Sequence, residues 1–366
     1  MGDRTDVVVV GAGPAGLATA IAAATAGLAT VVCERATAPP DKACGEGLMP
    51  AGLRALAALG ARDLIAAEEC APIDGICYVQ EDGGRAAADL PAPGGLGIRR
   101  TALAGALARR AAACGVELRW GCAAEGFTTA PGAVTLRTGA GELTAGVLVA
   151  ADGLHSRLRR AAGLEVRTGA PPRFGLRQHL RVPPWSRRVE VHLARGVEAF
   201  VTPAGAGRVG VAFLWEKDRI AGPVSFARLL ERFPAVAERI AGAPADSQPR
   251  GAGPLAQAVR ARTADRFALV GDAAGYVDAI TGEGLSLALE CGRALGEGLP
   301  LALARGATRA ALAPYERFAA HEFRRYAVVC RTVLGLARRP LLRRGALRIL
   351  GRHPRLFDRL VALSLA

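Results

Sequence analysis

Residues 44–50 read CGEGLMP, so a thiol, a carboxyl group and two glycines fall together at Cys44, Gly45, Glu46 and Gly47. Such a set could be half of a metal site, a reactive thiol, or backbone shaped to lie against something large and flat. Upstream, VVVVGAGPAGLATA spaces Gly11, Gly13 and Gly16 as GxGxxG, with Pro14 and Ala15 between them. After a strand and at a helix start, Gly11 permits a tight turn and Gly13 lets a pyrophosphate approach the backbone. Gly16 lets helix and strand pack closely. The helix N-terminus adds free N–H groups and positive potential. Glu34, followed by Arg35, ends the next strand, where a carboxylate can accept from both hydroxyls of a ribose.

Two further stretches carry the same kind of chemistry. In LVGDAAGYVDAITGEGLSLALECG, a buried strand delivers Gly271-Asp272, and Gly282, Gly284 and Leu285 open a helix. An acid after a strand can hold a polyol hydroxyl, and a glycine pair opening a helix presents N–H groups to an electron-rich edge. Tyr276, just past the acid, can approach the same region or simply pack. In LVAADGLHSRLRR, Asp152-Gly153 follows a strand, with Ser156 and Arg159 on the next turn. Alone, that stretch also reads as a helix cap.

The elements that must position these groups begin with a strand at 6–10, a helix at 17–26 and a second strand at 30–33. Continuous apolar strands of this kind suit a parallel sheet covered on both faces. A short helix follows at 51–59, and strand-and-turn punctuation at 73–90 with a hairpin turn at Gly83-Gly84. Next come a helix at 100–113 and strands at 116–119, 134–137, 142–144 and 147–150. Alternating patterns between 174 and 215 predict half-buried antiparallel strands. Arg177, His179, His192 and Trp215 fall on them and are candidates to line a substrate pocket, although a lone strand histidine is more often simply satisfied. A helix is expected at 226–241, a loop at 245–253 and a buried strand at 267–270, with nearly everything helical beyond 284.

Composition narrows the function. The chain has 366 residues, 51% of them hydrophobic and 22% charged, which is globular rather than disordered. Its net charge of +14 is nearly all arginine, since Lys42 and Lys217 are the only lysines. The arginines are dispersed without interleaved aromatics, which argues against nucleic acid; their excess reflects either GC-rich coding alone or attraction to a pyrophosphate, an acidic carrier or a membrane surface. The eight cysteines form no CxxC pair and have no histidine at ligand spacing. No metal site is therefore expected, and a reduced, cytoplasmic setting is. The apolar run 7–32 mimics a membrane span, but its glycines and Pro14 follow the nucleotide-binding pattern. The arginine-rich tail from 336 onward has apolar positions at helical spacing. It reads either as helices packed over the protein or as a peripheral contact with an anionic membrane, and Pro340 and Pro354 break it too often for a span.

The three glycine–acid motifs, in this order, resemble the FAD-dependent oxidoreductases typified by para-hydroxybenzoate hydroxylase and the geranylgeranyl reductases. The resemblance covers roughly residues 5–300. It implies an α/β fold: a Rossmann-like FAD-binding domain of the glutathione reductase type, interleaved with a β-sheet substrate domain and followed by C-terminal helices. The expected division is 1–70, 95–170 and 254–300 for FAD, 71–94 and 171–253 for substrate, and 301–366 for the tail. By the same likeness Glu34 meets the adenosine ribose and Asp272 the ribitol, while Asp152-Gly153 lies near the pyrophosphate and NAD(P)H. Arg100 matches an arginine that contacts the cofactor, and Ala124 falls where a backbone group meets the adenine. DKACGEGLMP resembles the K-x-C-G segment of the reductase branch, which places Cys44, Gly45 and Gly47 against the flavin. Cys44 and Glu46 are then the catalytic candidates, against the plainer roles of packing and a loop hydrogen bond. The expected activity is hydroxylation of an aromatic or phenolic polyketide or lipid-like substrate by a flavin hydroperoxide, with NAD(P)H and O₂. The alternative is reduction of a carbon–carbon double bond in a prenyl, lipid or polyketide substrate. More remote are a halogenase, for which neither a tryptophan-x-tryptophan motif nor a clear catalytic lysine is present, and a non-catalytic lipid-binding escort.

Overall fold

The structure, a computed structural model, describes residues 4–220 and 222–365. Its central layer is a sheet with five parallel strands in the order Phe267–Leu269, Gly141–Ala150, Arg4–Val10, Thr30–Glu34 and Glu117–Trp120. The first strand lies in the middle, in register Val7↔Val147 on one side and Val7↔Thr30 on the other. Valines fill it because both of its faces are buried: Val7, Val8 and Val9 have no exposed surface. Strand order reverses beside it, so the carboxyl ends of the strands border a crevice, where open α/β sheets bind ligands.

On one face of this sheet the helix Pro14–Thr25 packs against the long helix Gly284–Ala304. The approach is close enough that side chains are excluded. A Cβ on Gly292 would lie 2.6 Å from the Ala15 carbonyl oxygen, and one on Gly296 would lie 2.5 Å from that of Thr19. Gly16 is under the same constraint, since its Cβ would fall 2.0 Å from the Gly11 carbonyl oxygen.

A second sheet has seven strands in the order Arg250–Ala252, Arg173–Leu180, Val209–Glu216, Val197–Pro203, Arg188–Ala194, Gly75–Gln80 and Arg85–Asp89. All its pairs are antiparallel except Arg188–Ala194 with Gly75–Gln80. A small three-stranded sheet, Gly47–Leu48, Gly95–Ile98 and Cys70–Ile73, carries the chain between the two. The C-terminal helices Pro340–Arg352 and Pro354–Leu365 lie on the edge strand Arg85–Asp89 of the second sheet.

Several boundaries differ from the sequence expectation, for local reasons. The first helix starts at Pro14, whose fixed φ suits the first helical turn. The strands expected at 142–144 and 147–150 are one, Gly141–Ala150, running through Gly146. Ala124 opens a strand, Ala124–Ala130, that the pattern did not show. The helix expected at 226–241 is two, Phe226–Leu230 and Pro234–Arg239. Proline disfavours helix in the residue before it and cannot supply an interior N–H. The loop at 245–253 contributes the edge strand Arg250–Ala252.

The helix crossing predicts a contrast between two neighbouring glycines of the long helix. Gly296→Ala should destabilise the protein by about 1–3 kcal/mol through overpacking. Gly298→Ala should instead stabilise it by about 0.5–1 kcal/mol, because nothing lies within 4 Å of a Cβ there. Chemical denaturation of the two variants checks this.

Candidate functional site

A single continuous cavity of about 1220 Å³ opens at the carboxyl ends of the central strands and runs to the face of the second sheet. Its walls come from all the stretches in which the sequence concentrates chemistry. At one end, Gly11 turns with φ +109°, and any Cβ there would strike the Ala151 carbonyl oxygen at 2.4 Å. Gly13 is the N-cap of the first helix and offers no side chain. The first-turn N–H groups therefore face the cavity without a side-chain cap. Glu34 is buried, with its carboxylate held by the N–H groups of Ala12 at 2.8 Å and Ala36 at 3.0 Å. Both of its oxygens retain a lone pair for a ligand. Arg35 and Ala124 line the same end.

The second acidic turn meets the first. Gly271 has φ +63° and sits against Ala15. Asp272 beside it is buried enough that its carboxyl group is pushed up, an effect opposed by the nearby cations Arg100, Lys42 and Arg159. Gly282 and Gly284 line the cavity where the long helix begins, again with no side-chain cap, and Tyr276 packs on Gly284. Two uncapped helix N-termini thus face one cavity. Glu283 between those glycines has one carboxyl oxygen buried without a partner among the described residues, and burial pushes its pKa up to about 7.

Asp152 does cap a helix: one oxygen accepts from the N–H groups of Arg157 at 2.9 Å and Leu158 at 3.3 Å. Its other oxygen is buried with no partner among the described residues, and Asp152 and Gly153 both line the cavity. Arg159 ties this turn to the other. Fully buried, it donates to the carbonyls of Leu154 (3.0 Å) and Ala273 (3.3 Å), and to Glu165 (2.9 Å) and Gln257 (2.7 Å).

Segment 41–47 forms the wall between the two ends of the cavity. Cys44 Sγ accepts from the Glu46 N–H at 3.3 Å, and burial pushes its thiol up. Glu46 is in the left-handed region at φ +60°, a conformation that non-glycine residues adopt only when surrounding contacts enforce it. Those contacts are present. Its carbonyl accepts from Ile98 N–H at 2.9 Å, its carboxylate accepts from Arg100 N–H at 2.8 Å, and the second carboxylate oxygen bonds His179. Lys42 lies 3.3 Å from where a Gly153 Cβ would be, and burial lowers its amine. Arg100 is buried, its Nε has no partner among the described residues, and its guanidinium is 3.5 Å from a Cβ built on Gly13.

Beyond this wall the cavity is apolar, lined by Ile76, Val189, Val191, Phe200, Leu214 and Trp215 among others. Tyr78 closes one side and contacts Phe357 of the last helix, ring centroids 6.1 Å apart.

Of the residues singled out from the sequence, Gly11, Gly13, Pro14, Ala15, Glu34, Arg35, Cys44, Gly45, Glu46, Gly47, Arg100, Ala124, Asp152, Gly153, Gly271, Asp272, Tyr276, Gly282, Gly284 and Leu285 all line this one cavity, as do Arg177 and Trp215. Gly16 does not; it is consumed by helix–strand packing. His179 and His192 are also outside the lining. His179 is buried behind Glu46, and His192 pairs with Glu190 at 3.0 Å. Asp41 and Glu283 carried no signal of their own in the sequence. Lys42 and Arg159 stood out only as neighbours of Cys44 and of the Asp152 turn.

A family model described as an FAD binding domain matches residues 4–328. Digeranylgeranylglycerophospholipid reductase 2 of Methanopyrus kandleri is 31% identical over 309 residues, which are 80% of this chain and 76% of that protein. Menaquinone reductase of Mycobacterium tuberculosis is 30% identical over 322 residues, 81% of this chain and 76% of its own. Among solved structures, a flavoprotein/dehydrogenase from Cytophaga hutchinsonii superposes with a TM-score of 0.82 at 21% identity, covering 93% of this chain and 87% of its own. Halogenase PltM in complex with phloroglucinol and FAD gives 0.78 at 18%, covering 97% and 85%. At that identity the last two are likenesses of fold.

The residues present fit FAD. Side-chain-free backbone lies at Gly11, Gly13, Gly282 and Gly284, and two helix N-termini open on the cavity. Such termini favour phosphate and other anionic groups. Buried polar atoms on Arg100 and Asp152 lack partners among the described residues.

Glu283 predicts a pH effect on stability. Its folded pKa of about 7 lies above the ordinary 4.5, so the unfolded chain loses this proton first. Its penalty is absent below about pH 4.5, grows as pH rises to about 7 and is constant above. Glu283→Gln should therefore raise the unfolding midpoint above pH 7 and leave it unchanged near pH 4.5, measured by denaturation at several pH values.

Proposed function

This chain belongs to the superfamily of FAD-dependent oxidoreductases that includes para-hydroxybenzoate hydroxylase and the geranylgeranyl reductases, and from that premise we propose that it reduces carbon–carbon double bonds of a prenyl or other lipid-like substrate. This replaces the oxygen-using hydroxylase as the favoured activity. One observation carries it. Relatives that match four-fifths of the chain at 30–31% identity are named digeranylgeranylglycerophospholipid reductase and menaquinone reductase. The cavity supports the reading: a glycine-rich dinucleotide end runs directly into a compartment of aliphatic and aromatic side chains, suited to a hydrocarbon chain.

Bound FAD would supply the electron pair, taken from NAD(P)H. The protein's part is to bind, orient, exclude water and deliver a proton. Glu34 would hold the adenosine ribose, the N–H groups of Gly13 and Ala15 the pyrophosphate, and Asp272 the ribitol. In the wall formed by segment 41–47, Cys44 and Glu46 lie where the cofactor end meets the apolar end. Saturating a double bond requires a proton on the second carbon, and a thiol pushed up by burial remains protonated at neutral pH. Cys44 is the donor of that kind in this wall.

Peripheral membrane contact belongs to the same proposal. Leu356, Leu360 and Leu363 share one exposed face of the helix Pro354–Leu365, with Arg355 and Arg359 beside them. A face of this composition suits the surface of an anionic membrane. The opposite face buries Phe357 against Tyr78, a cavity residue, so the exposed leucines lie over the apolar end. No helix among the described residues is long and apolar enough to cross a membrane.

Anaerobic incubation with NADPH and a menaquinone or geranylgeranyl lipid should yield product with two hydrogens added per double bond, read by mass spectrometry. Oxygen-dependent hydroxylation of a phenol, with no anaerobic product, would overturn the proposal. Cys44→Ala should keep FAD and lower turnover by about 10- to 100-fold. Replacing Leu356, Leu360 and Leu363 together by Glu should abolish co-sedimentation with anionic phosphatidylglycerol vesicles while leaving FAD bound.

A further inference from the structure

The apolar end of the cavity carries two phenols. Tyr78 and Tyr276 line it, and neither hydroxyl has a hydrogen-bond partner among the described residues. Tyr78 ends a row that crosses five strands of the second sheet, with Arg177, Ala212, Phe200, Val191 and Tyr78 in register. Tyr276 precedes the long helix, and its hydroxyl is 3.6 Å from where a Gly284 Cβ would be. Burial pushes Tyr78 up to about 12 and Tyr276 well above the ordinary tyrosine value. The Cys330 thiol opposes the ionisation of both, so the two phenols approach the same side. Each stays protonated and can both donate and accept.

The surroundings decide which ligand can use these hydroxyls. A pure hydrocarbon filling the compartment would strand both, and a buried hydroxyl without a partner is costly. An anionic head would lack a counter-charge. Of the lining cations, Arg35, Lys42, Arg100, Arg157 and Arg160 stand with the dinucleotide motifs at the cofactor end, which leaves Arg177 and Arg250. Two carboxylates already balance that pair. Asp41 bonds Arg177 and lies 3.7 Å from Arg250, and Glu46 lies 3.6 Å from Arg177. Arg177 also stands at the far end of the row, four strand spacings or roughly 19 Å from Tyr78. Nearby, Arg173 is outnumbered by Glu198 at 2.7 Å and Asp278 at 2.8 Å. Glu283 is a further carboxyl group on the Tyr78 side. No cation is left over there for a phosphate among the described residues.

We propose that the compartment selects uncharged lipids bearing an oxygen on the group that enters first, with Tyr276 donating a hydrogen bond to that oxygen and Tyr78 offering a second. This rests on the lipid-like substrate proposed above and narrows it to prenylated quinones, phenols or alcohols, to the exclusion of prenyl phosphates and of phospholipids entering by their heads. The position of Tyr276 sets the orientation. Cys44, Asp272 and Gly284 are its neighbours as well, so an oxygen held there brings the group that bears it to the wall where the cofactor end begins. Tyr276 and Tyr78 are thus specificity-determining residues. They recognise a neutral oxygen by hydrogen bonding, and the balanced charges around them reject an ionised one.

Titration calorimetry of the FAD-bound protein in neutral detergent tests this without turnover. Three probes share one prenyl chain: geranylgeraniol, geranylgeranyl diphosphate, and the parent hydrocarbon lacking the hydroxyl. The alcohol should bind about tenfold more tightly than the hydrocarbon and about 100-fold more tightly than the diphosphate. Tyr276→Phe should weaken the alcohol about tenfold and leave the hydrocarbon unchanged, which also shows that the variant is folded. Equal affinity for alcohol and hydrocarbon, a diphosphate bound as tightly as the alcohol, or an alcohol affinity untouched by Tyr276→Phe would each overturn the proposal. Failure of all three probes to bind would overturn it together with the lipid-like substrate. Selective binding of the alcohol with no alkene reduced would refute the proposed activity alone. Reduction of the diphosphate as readily as the alcohol would refute the selectivity and leave the activity standing.

Discussion

Two helices present their free N–H groups to one cavity here while packed with their backbones nearly in contact. The helix from Pro14 and the helix from Gly284 do so because Gly292 and Gly296 remove the side chains that would hold them apart. Gly16 draws the first helix onto the central sheet in the same way. The positive ends of both helices then border a single cleft, where a long anionic cofactor gains from each. Arg159 secures the other side of the cleft. By binding carbonyls from both acidic turns, it fixes the distance between Asp152 and Asp272. A buried guanidinium needs such a full set of acceptors to be tolerated at all.

Glu46 joins this frame to the second sheet. Its strained backbone is held by the small sheet at Ile98, and its side chain is held by Arg100 on one side and by His179 on the other. Movement of the second sheet relative to the central sheet would break these bonds at a buried carboxylate, which is costly to leave unpaired. The cavity wall is therefore rigid where chemistry is expected and gives way to plain apolar packing farther along.

What was legible in the sequence was local. GxGxxG, Gly271-Asp272, Asp152-Gly153 and CGEG each combine a turn and a helix or strand end within a few residues, so spacing alone reveals them. The pairings that give these groups their character join residues far apart in the chain: Glu46 meets His179 across 133 positions, and Arg159 meets Asp272 across 113. No periodicity encodes such contacts. That is why His179 read as a pocket residue rather than as the support behind a carboxylate, and why Arg159 read as part of a cap. The strand Ala124–Ala130 was missed because its outer half is exposed and polar, so it lacks the apolar alternation by which strands are recognised.

The ionisable groups around the cavity also bear on which reaction the site favours. Burial pushes the Cys44 thiol, the Tyr276 phenol, and the Asp272 and Glu283 carboxyl groups toward their protonated forms. Lys42 shifts the other way, but it lies beside Gly153 on the Asp152 turn, at the cofactor end. Hydroxylating a phenol benefits from a base that withdraws the phenolic proton, whereas saturating a double bond consumes a proton at carbon. The direction of these four shifts leans toward the second demand, in keeping with the proposed reading. The same desolvation that makes the compartment apolar thus shifts these side chains toward their protonated forms, so the two features that support the proposed reductive reading share one physical cause.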